Sequence, residues 1–135
     1  MHFVLWILQV FLGNYFIFVG VMHFIVPTRL PDFMAWMYEL STGLHYFTGT
    51  AEIVAGVGLI LPGLTRRWGM LAPGAGVGIV LLMAGAVVWH AQRGEIMNIL
   101  QNLVLGGCAG FIAYGRWCLY PHVNKRRLRR RRRNW

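Results

Sequence analysis

The sequence predicts an all-α integral membrane protein: a bundle of four transmembrane helices with a short outer interfacial helix and a basic cytoplasmic tail. Two observations support this fold class. The 135 residues are 57% hydrophobic and 13% charged, whereas about a quarter of the residues in a soluble domain are charged. Residues 1–28, 68–92 and 96–115 contain no Asp, Glu, Lys or Arg, and each stretch reaches the ~20 residues that span a bilayer.

We assign the four helices to about residues 3–26, 44–62, 69–91 and 96–119. The second helix leaves an alternative open, because Glu52 interrupts its apolar run. In that alternative the protein has three spans, and residues 40–62 are re-entrant or interfacial. Pro62 and Gly63 are expected to end the second helix, since proline and glycine are typical helix stop residues.

The basic residues predict the orientation of the bundle. With four spans, both termini and the 62–69 turn share one side, which holds eleven of the thirteen Lys and Arg residues. The positive-inside rule places that side in the cytoplasm. On the other side, Phe33, Trp36, Met37 and Leu40 recur at helical spacing between the first two spans. They predict a brief amphipathic helix in the outer interface, with an irregular loop anchored by aromatic residues as the alternative.

The net charge of +9 comes almost entirely from the C-terminus, so we divide the chain into a transmembrane domain, 1–120, and an Arg-rich tail, 121–135. Juxtamembrane basic residues bind anionic lipid, and this tail is expected to contact the cytoplasmic leaflet or an acidic face of a partner subunit. Nucleic acid is not an expected partner, because the tail lacks interleaved aromatics and no folded reader module is present. The docking residues are Lys125, Arg126, Arg127, Arg129, Arg130, Arg131, Arg132 and Arg133.

Glycines are expected to hold the helices together. Lipid gives no hydrophobic drive for helix association, so residues that allow backbones to approach closely matter most. Gly13 and Gly20 lie seven residues apart. The other predicted packing positions are Gly49, Gly56, Gly74, Gly78, Gly106 and Gly110.

Polar residues inside the spans predict a ligand pocket open toward the outer leaflet. Glu52 is the only acid within a span, and intramembrane ionisable residues usually face the bundle interior and often mark function. The alternative is a buried hydrogen bond that fixes helix register. All four helices carry polar residues in their outer halves, and the cytoplasmic half is expected to be almost entirely apolar. The predicted pocket residues are Glu52, His23, His45, His90, Asn98, Gln101 and Asn102.

No metal site is expected. Three histidines and one carboxylate could in principle ligate a metal, but no H-x-x-x-H, E-x-x-H or C-x-x-C spacing supports one. A bis-histidine haem lacks support in the same way. No nucleophile–base pair or nucleotide-binding fingerprint occurs, so no catalytic residue can be assigned.

Two motifs resemble those of the DoxX family, small four-helix bacterial membrane proteins related to the MauE-like group. The first span ends as G-x-x-H-F-x-x-P over residues 20–27. The second span and its flank read G-x-x-E-x-x-x-G-x-G-L-x-L-P-x-x-T-R-R over residues 49–67. The resemblance covers roughly residues 10–115. His23, Gly49, Glu52 and Gly56 match motif positions.

The resemblance implies a bacterial membrane protein. With the four predicted spans and the positive-inside rule, we expect a multi-pass protein of the inner membrane with both termini in the cytoplasm. It favours an accessory subunit of a membrane redox complex over a stand-alone enzyme, because the family takes its name from a subunit of a thiosulfate:quinone oxidoreductase. No cofactor is firmly implied, and a quinone is the candidate that the resemblance suggests. The alternative is a structural or assembly subunit docked through its Gly-rich helix faces and Arg-rich tail. A transporter has less support, since no inverted repeat is visible.

Overall fold

The structure, a computed structural model, describes residues 2–65 and 68–119. Within these ranges it is helical and contains no strand. Helix α1 spans His2–Ile25, α2 Thr42–Thr65, α3 Leu71–Gln92 and α4 Ile96–Tyr114, which continues as a π-helical turn, Gly115–Leu119. All four helices are long and apolar enough to cross a membrane. The predicted fold class is confirmed. The three-span alternative is wrong, because α2 is one continuous helix, packs between α1 and α3, and is as long and apolar as a span requires.

Each helix packs against the next in chain order, and α4 also touches α1. We call the end of the bundle that holds the 26–41 connection and the 93–95 turn the loop end, and the opposite end the terminal end. The buried core lies between them and draws on all four helices. Its members are Leu12, Phe16, Leu59, Ile79, Met83, Ala109 and Ile112.

Helices α1 and α2 approach closely through four glycines with matched spacing. A Cβ on Gly56 would lie 2.5 Å from the carbonyl oxygen of Gly13, and one on Gly49 would lie 2.8 Å from that of Gly20. Gly13 and Gly20 are seven residues apart on α1, and Gly49 and Gly56 are seven residues apart on α2. The two antiparallel helices therefore meet at two points, two helical turns apart. Only glycine permits this backbone contact.

The prediction for the glycines of α3 is wrong within this chain. A Cβ added to Gly74 or Gly78 would meet no atom of the described residues within 4 Å. Gly74 and Gly78 lie on a face of α3 that is directed away from α4. Gly76 lies against α4 instead, since a Cβ added to it would be 2.8 Å from the carbonyl oxygen of Ala109. On α4, a Cβ added to Gly106 or Gly110 would make an ordinary contact with a side chain of α3, at 3.4 Å from Met83 and 3.7 Å from Val80.

Helix α2 does not end at Pro62, as the sequence suggested, but continues to Thr65. Proline removes a single i→i−4 hydrogen bond, and membrane helices tolerate that loss where neighbouring groups satisfy the backbone. The hydroxyl of Thr65 donates a hydrogen bond to the carbonyl oxygen of Leu61 at 2.8 Å. Pro62 therefore lies buried inside the last turn.

The predicted helix between α1 and α2 is present as a 3₁₀-helix, Asp32–Glu39. Met37 is fully buried against the bundle, while Phe33 is 57% exposed. The hydroxyl of Tyr38 fastens the segment, since it donates to the carbonyl oxygen of Pro27 at 2.8 Å and accepts from the amide of Leu30 at 2.9 Å. The 3₁₀-helix thus covers the loop end of the bundle.

Candidate ligand pocket

A cavity of about 840 Å³ lies inside the bundle, lined by residues from all four helices and from the 3₁₀-helix. Its α3 wall runs from Leu71 to His90, roughly 28 Å at 1.5 Å per residue. The cavity reaches the bundle surface between α2 and α3, where Phe47, Val54 and Leu81 on its rim are 68%, 65% and 68% exposed. Gly74 and Gly78 belong to this wall, which explains why they touch no helix.

The polar groups of the cavity cluster at the loop end, while the terminal end is lined by apolar residues. Five predicted pocket residues line it: Glu52, His90, Asn98, Gln101 and Asn102. Tyr15 and Thr48 also line this end, and sequence reasoning missed both. Tyr15 precedes His23 by eight residues, on the same face of α1, and that spacing could have indicated it.

Glu52 is 4% exposed and projects from the middle of α2. Its Oε2 lies 3.6 Å from Nε2 of His23 on α1. Neither atom has a hydrogen-bond partner among residues 2–65 and 68–119. The hydrogen bond that would fix helix register is therefore not formed by this oxygen.

His23 and His45 do not line the cavity but lie behind Glu52. Their Nδ1 atoms are 2.9 Å apart, and Nε2 of His45 is 2.9 Å from the carbonyl oxygen of Met37 in the 3₁₀-helix. His23 is 2% and His45 9% exposed. These two residues thus connect Glu52 with the covered loop end.

Across the cavity, other polar side chains are already paired. Gln101 of α4 donates from Nε2 to the hydroxyl of Tyr15 at 2.7 Å, which joins α4 to α1. His90 places Nδ1 2.5 Å from Oε2 of Glu95, and Asn98 donates to the same oxygen at 3.3 Å. His90 is therefore held by the 93–95 turn.

A charged clamp joins that turn to the 3₁₀-helix. Arg93 donates from Nε to Oε1 of Glu95 at 2.8 Å and forms a second ion pair with Glu39. Hydrogen bonds to these two carboxylates raise the pKa of Arg93. Partial burial works against ionisation of Glu95, yet the hydrogen bonds from Arg93, His90 and Asn98 hold the pKa of Glu95 below its ordinary value.

Aromatic rings complete the loop end beneath this clamp. Trp36 of the 3₁₀-helix contacts Trp89 and His90 of α3, with ring centroids 6.3 and 5.4 Å apart. The guanidinium carbon of Arg93 lies 4.5 Å above the centre of the Trp89 ring. The two tryptophans are also part of the cavity wall.

The expectation that the opposite half is almost entirely apolar is wrong. Arg116, at the end of α4, is 1% exposed and donates from Nε to Oε1 of Gln9 at 2.5 Å. Gln9 in turn donates from Nε2 to the carbonyl oxygen of Leu59 at 2.6 Å. An arginine near a helix end suggests an interfacial anchor, and the sequence does not reveal that a buried glutamine partners it.

Two further predictions concern metals and the tail. Among the residues that the structure describes, no group of three or more His, Cys, Asp or Glu is placed to hold a metal ion. The tail residues from Lys125 to Arg133 lie outside the described ranges, as do Arg66 and Arg67 of the orientation argument.

Four apolar helices around an internal cavity define the class, a multi-pass membrane protein with a pocket inside its bundle. The model of the DoxX-like family matches residues 7–112, and the chain belongs to this family. The resemblance drawn from the two motifs is therefore confirmed. No curated protein and no solved structure matches the chain significantly.

Proposed function

We propose that this protein is an inner-membrane subunit of a quinone-linked redox assembly, and that its cavity binds a quinone-like ligand. One observation carries the proposal: a single elongated cavity is polar at one end and apolar along the rest, and it opens between two membrane-spanning helices. A quinone has the same division, because its headgroup carries two hydrogen-bonding oxygens and its isoprenoid chain is apolar.

The polar end supplies the groups that a quinone headgroup requires. Quinone oxygens accept hydrogen bonds, and the amide of Gln101 and the hydroxyl of Tyr15 are donors. Glu52 accepts a hydrogen bond from a quinol hydroxyl when ionised and donates to a quinone oxygen when protonated. A few placed polar groups at one end of an apolar cavity of several hundred Å³ are typical of small-molecule sites.

Binding of decylubiquinone to the purified protein in nanodiscs tests this proposal. Trp36 and Trp89 in the cavity wall report binding, because quinones quench tryptophan fluorescence. We expect saturable quenching, and about tenfold weaker binding for Gln101→Leu and for Glu52→Leu, since one lost hydrogen bond costs about 1.4 kcal/mol. Asn14→Leu is the matched control, because Asn14 is an exposed amide bonded to its own helix through Val10.

Two outcomes would overturn the proposal. One is quenching that rises linearly with decylubiquinone, as expected for partition into lipid. The other is an identical affinity in the wild type, Gln101→Leu, Glu52→Leu and the Asn14→Leu control. Decylbenzene, which lacks the quinone oxygens, should not displace the ligand at equal concentration.

We further propose that both termini are cytoplasmic and that the partners are anionic lipids of that leaflet and other membrane subunits. The placement of basic residues in the sequence supports this orientation. Removing residues 125–135 should release the protein from its complex during detergent extraction. Unchanged co-purification of the same subunits would argue against docking through the tail.

A further inference from the structure

We infer that Glu52, His23 and His45 form a proton path that leads from the cavity to the loop end of the bundle. The three side chains follow one another without interruption, at 3.6 Å from Glu52 to His23 and 2.9 Å from His23 to His45. The proposed function supplies the ligand that would exchange a proton with Glu52, while the path itself rests on these contacts alone.

The carbonyl of Met37 sets the direction of the hydrogen bonds. A carbonyl oxygen only accepts, so Nε2 of His45 carries a proton and donates it to Met37. In a neutral imidazole the other nitrogen is then an acceptor. Nδ1 of His45 therefore accepts a hydrogen bond from Nδ1 of His23.

Because a neutral imidazole has only one protonated nitrogen, the tautomer of His23 also decides which group faces Glu52. With its proton on Nδ1, neutral His23 presents the lone pair of Nε2 to Oε2 of Glu52. Two acceptors facing each other hold together only when a proton lies between them, on the carboxyl group or on the imidazole. The pair thus has a place for one mobile proton, and neither atom has a competing partner among the described residues.

Proton transfer along the path conserves protons and moves no electrons. A hydroxyl or water in the cavity gives a proton to Glu52, Glu52 passes one to Nε2 of His23, and His23 passes its Nδ1 proton to His45. His45 then loses its Nε2 proton to water, once that nitrogen leaves the carbonyl of Met37. One proton enters and one leaves, and both rings must rotate or return their protons before the next transfer.

The surroundings of the path keep it apart from other titratable groups. Tyr15 and His90 are titratable residues that line the same cavity as Glu52, but Tyr15 is bonded to Gln101 and His90 to Glu95. His23 contacts the ring of Trp36 with centroids 5.8 Å apart, and Trp36 in turn contacts His90. Chains of Glu and His inside membrane proteins are typical of proton relays.

Time-resolved infrared spectroscopy after a pH jump tests the inference in nanodiscs with decylubiquinone bound. The carboxylic C=O band that disappears in Glu52→Gln reports protonation of Glu52. We expect His45→Ala to slow the change of this band by at least about tenfold and to leave its final amplitude unchanged. Imidazole added to His45→Ala should restore the rate, and His2→Ala, which changes a histidine at the opposite end of the bundle beside Arg116, should retain the wild-type rate.

Nitrogen-15 NMR of the histidine-labelled wild type requires no variant and tests the same path. We expect protonated Nε2 and unprotonated Nδ1 on His45, with a proton on Nδ1 of His23. A proton on Nδ1 of His45, or a Glu52 band equally fast with and without the His45 imidazole, would overturn the path. Loss of saturable quenching with an intact His45 effect would overturn only the quinone proposal.

Discussion

Gln9 and Arg116, 107 residues apart in the chain, form a hydrogen bond of 2.5 Å inside the terminal end of the bundle. Gln9 also reaches the backbone of Leu59, so a single amide connects α1 with α2 and α4. Arg116 donates a second hydrogen bond, from Nη1 to Nδ1 of His2 at 3.0 Å. A buried guanidinium is costly unless such partners surround it.

Gln9→Leu is therefore expected to lower the free energy of unfolding by about 2–4 kcal/mol, because it removes a partner from a buried charge. Reversible unfolding in SDS, followed by circular dichroism, measures the change. The double variant Gln9→Leu/Arg116→Leu should lose less free energy of unfolding than the two single variants together. In the double variant no buried charge is left without the amide that partners it. Additive losses would show that the two residues are not energetically coupled.

The close approach of α1 and α2 gives a second prediction. Gly56→Ala places a Cβ against the backbone of Gly13, at 2.5 Å, and backbone cannot yield as a side chain can. We expect a loss of about 1–3 kcal/mol in the free energy of unfolding, as for an overpacked core. Gly78→Ala is the control, since its Cβ enters open space. Equal stability of the two variants would contradict the helix interface described above.

The comparison of these glycines shows how far the sequence could lead. Length and hydropathy predict the four helices, because a bilayer demands about 20 apolar residues from each span. Spacing alone could not separate Gly56 from Gly78, because G-x-x-x-G and related repeats appear on every face of a Gly-rich helix. Only the rotation of each helix about its axis decides which glycine meets a neighbour, and a single sequence does not contain it.

The site was predictable to a similar extent. Polar residues in the loop-end halves of the spans indicate a polar cavity, and Glu52 stands out as the acid inside a helix. The sequence does not predict which of the polar residues line the cavity and which lie behind its wall. His23 and His45 lie behind Glu52 rather than beside a ligand, because a long connection returns the 3₁₀-helix over the bundle and offers His45 the carbonyl of Met37.

The clamp at the loop end makes stability depend on pH. Since the folded protein holds the pKa of Glu95 below its ordinary 4.5, Glu95 stabilises the fold fully above that pH. The contribution is lost as the pH falls through the lower, folded-state pKa. We expect Glu95→Gln to be less stable than the wild type at neutral pH and the difference to shrink below about pH 4. Chemical unfolding at several pH values measures it, and a constant difference would exclude this role.

Glu39→Gln separates the two halves of the clamp. It removes the ion pair between Arg93 and the 3₁₀-helix and leaves the bond from Arg93 to Glu95 in place. We expect faster hydrogen exchange at the backbone amides of residues 30–39 and little change in α3, because the 3₁₀-helix loses its charged tie while Tyr38 still holds it. Protection that is unchanged in both segments would show that the ion pair does not restrain the 3₁₀-helix.

The route into the cavity can be tested with a residue that the fold itself does not need. Gly78 lies in the α3 wall where the cavity opens between α2 and α3, and its missing side chain leaves that opening free. Gly78→Leu should weaken decylubiquinone binding at least about tenfold by occupying the space of an apolar chain. Its free energy of unfolding should remain within about 0.5 kcal/mol of the wild type.

Gly107→Leu is the matched control for this last prediction. A Cβ on Gly107 would also meet none of the described residues within 4 Å, but Gly107 lies on α4 outside the cavity wall. A side chain there adds the same volume to the bundle surface without entering the cavity. Weaker binding in Gly78→Leu alone would place the entry between α2 and α3. If both variants bind as tightly as the wild type, the ligand reaches Glu52 by another route. If both bind more weakly to the same degree, the added leucine acts through the surrounding lipid rather than through the cavity.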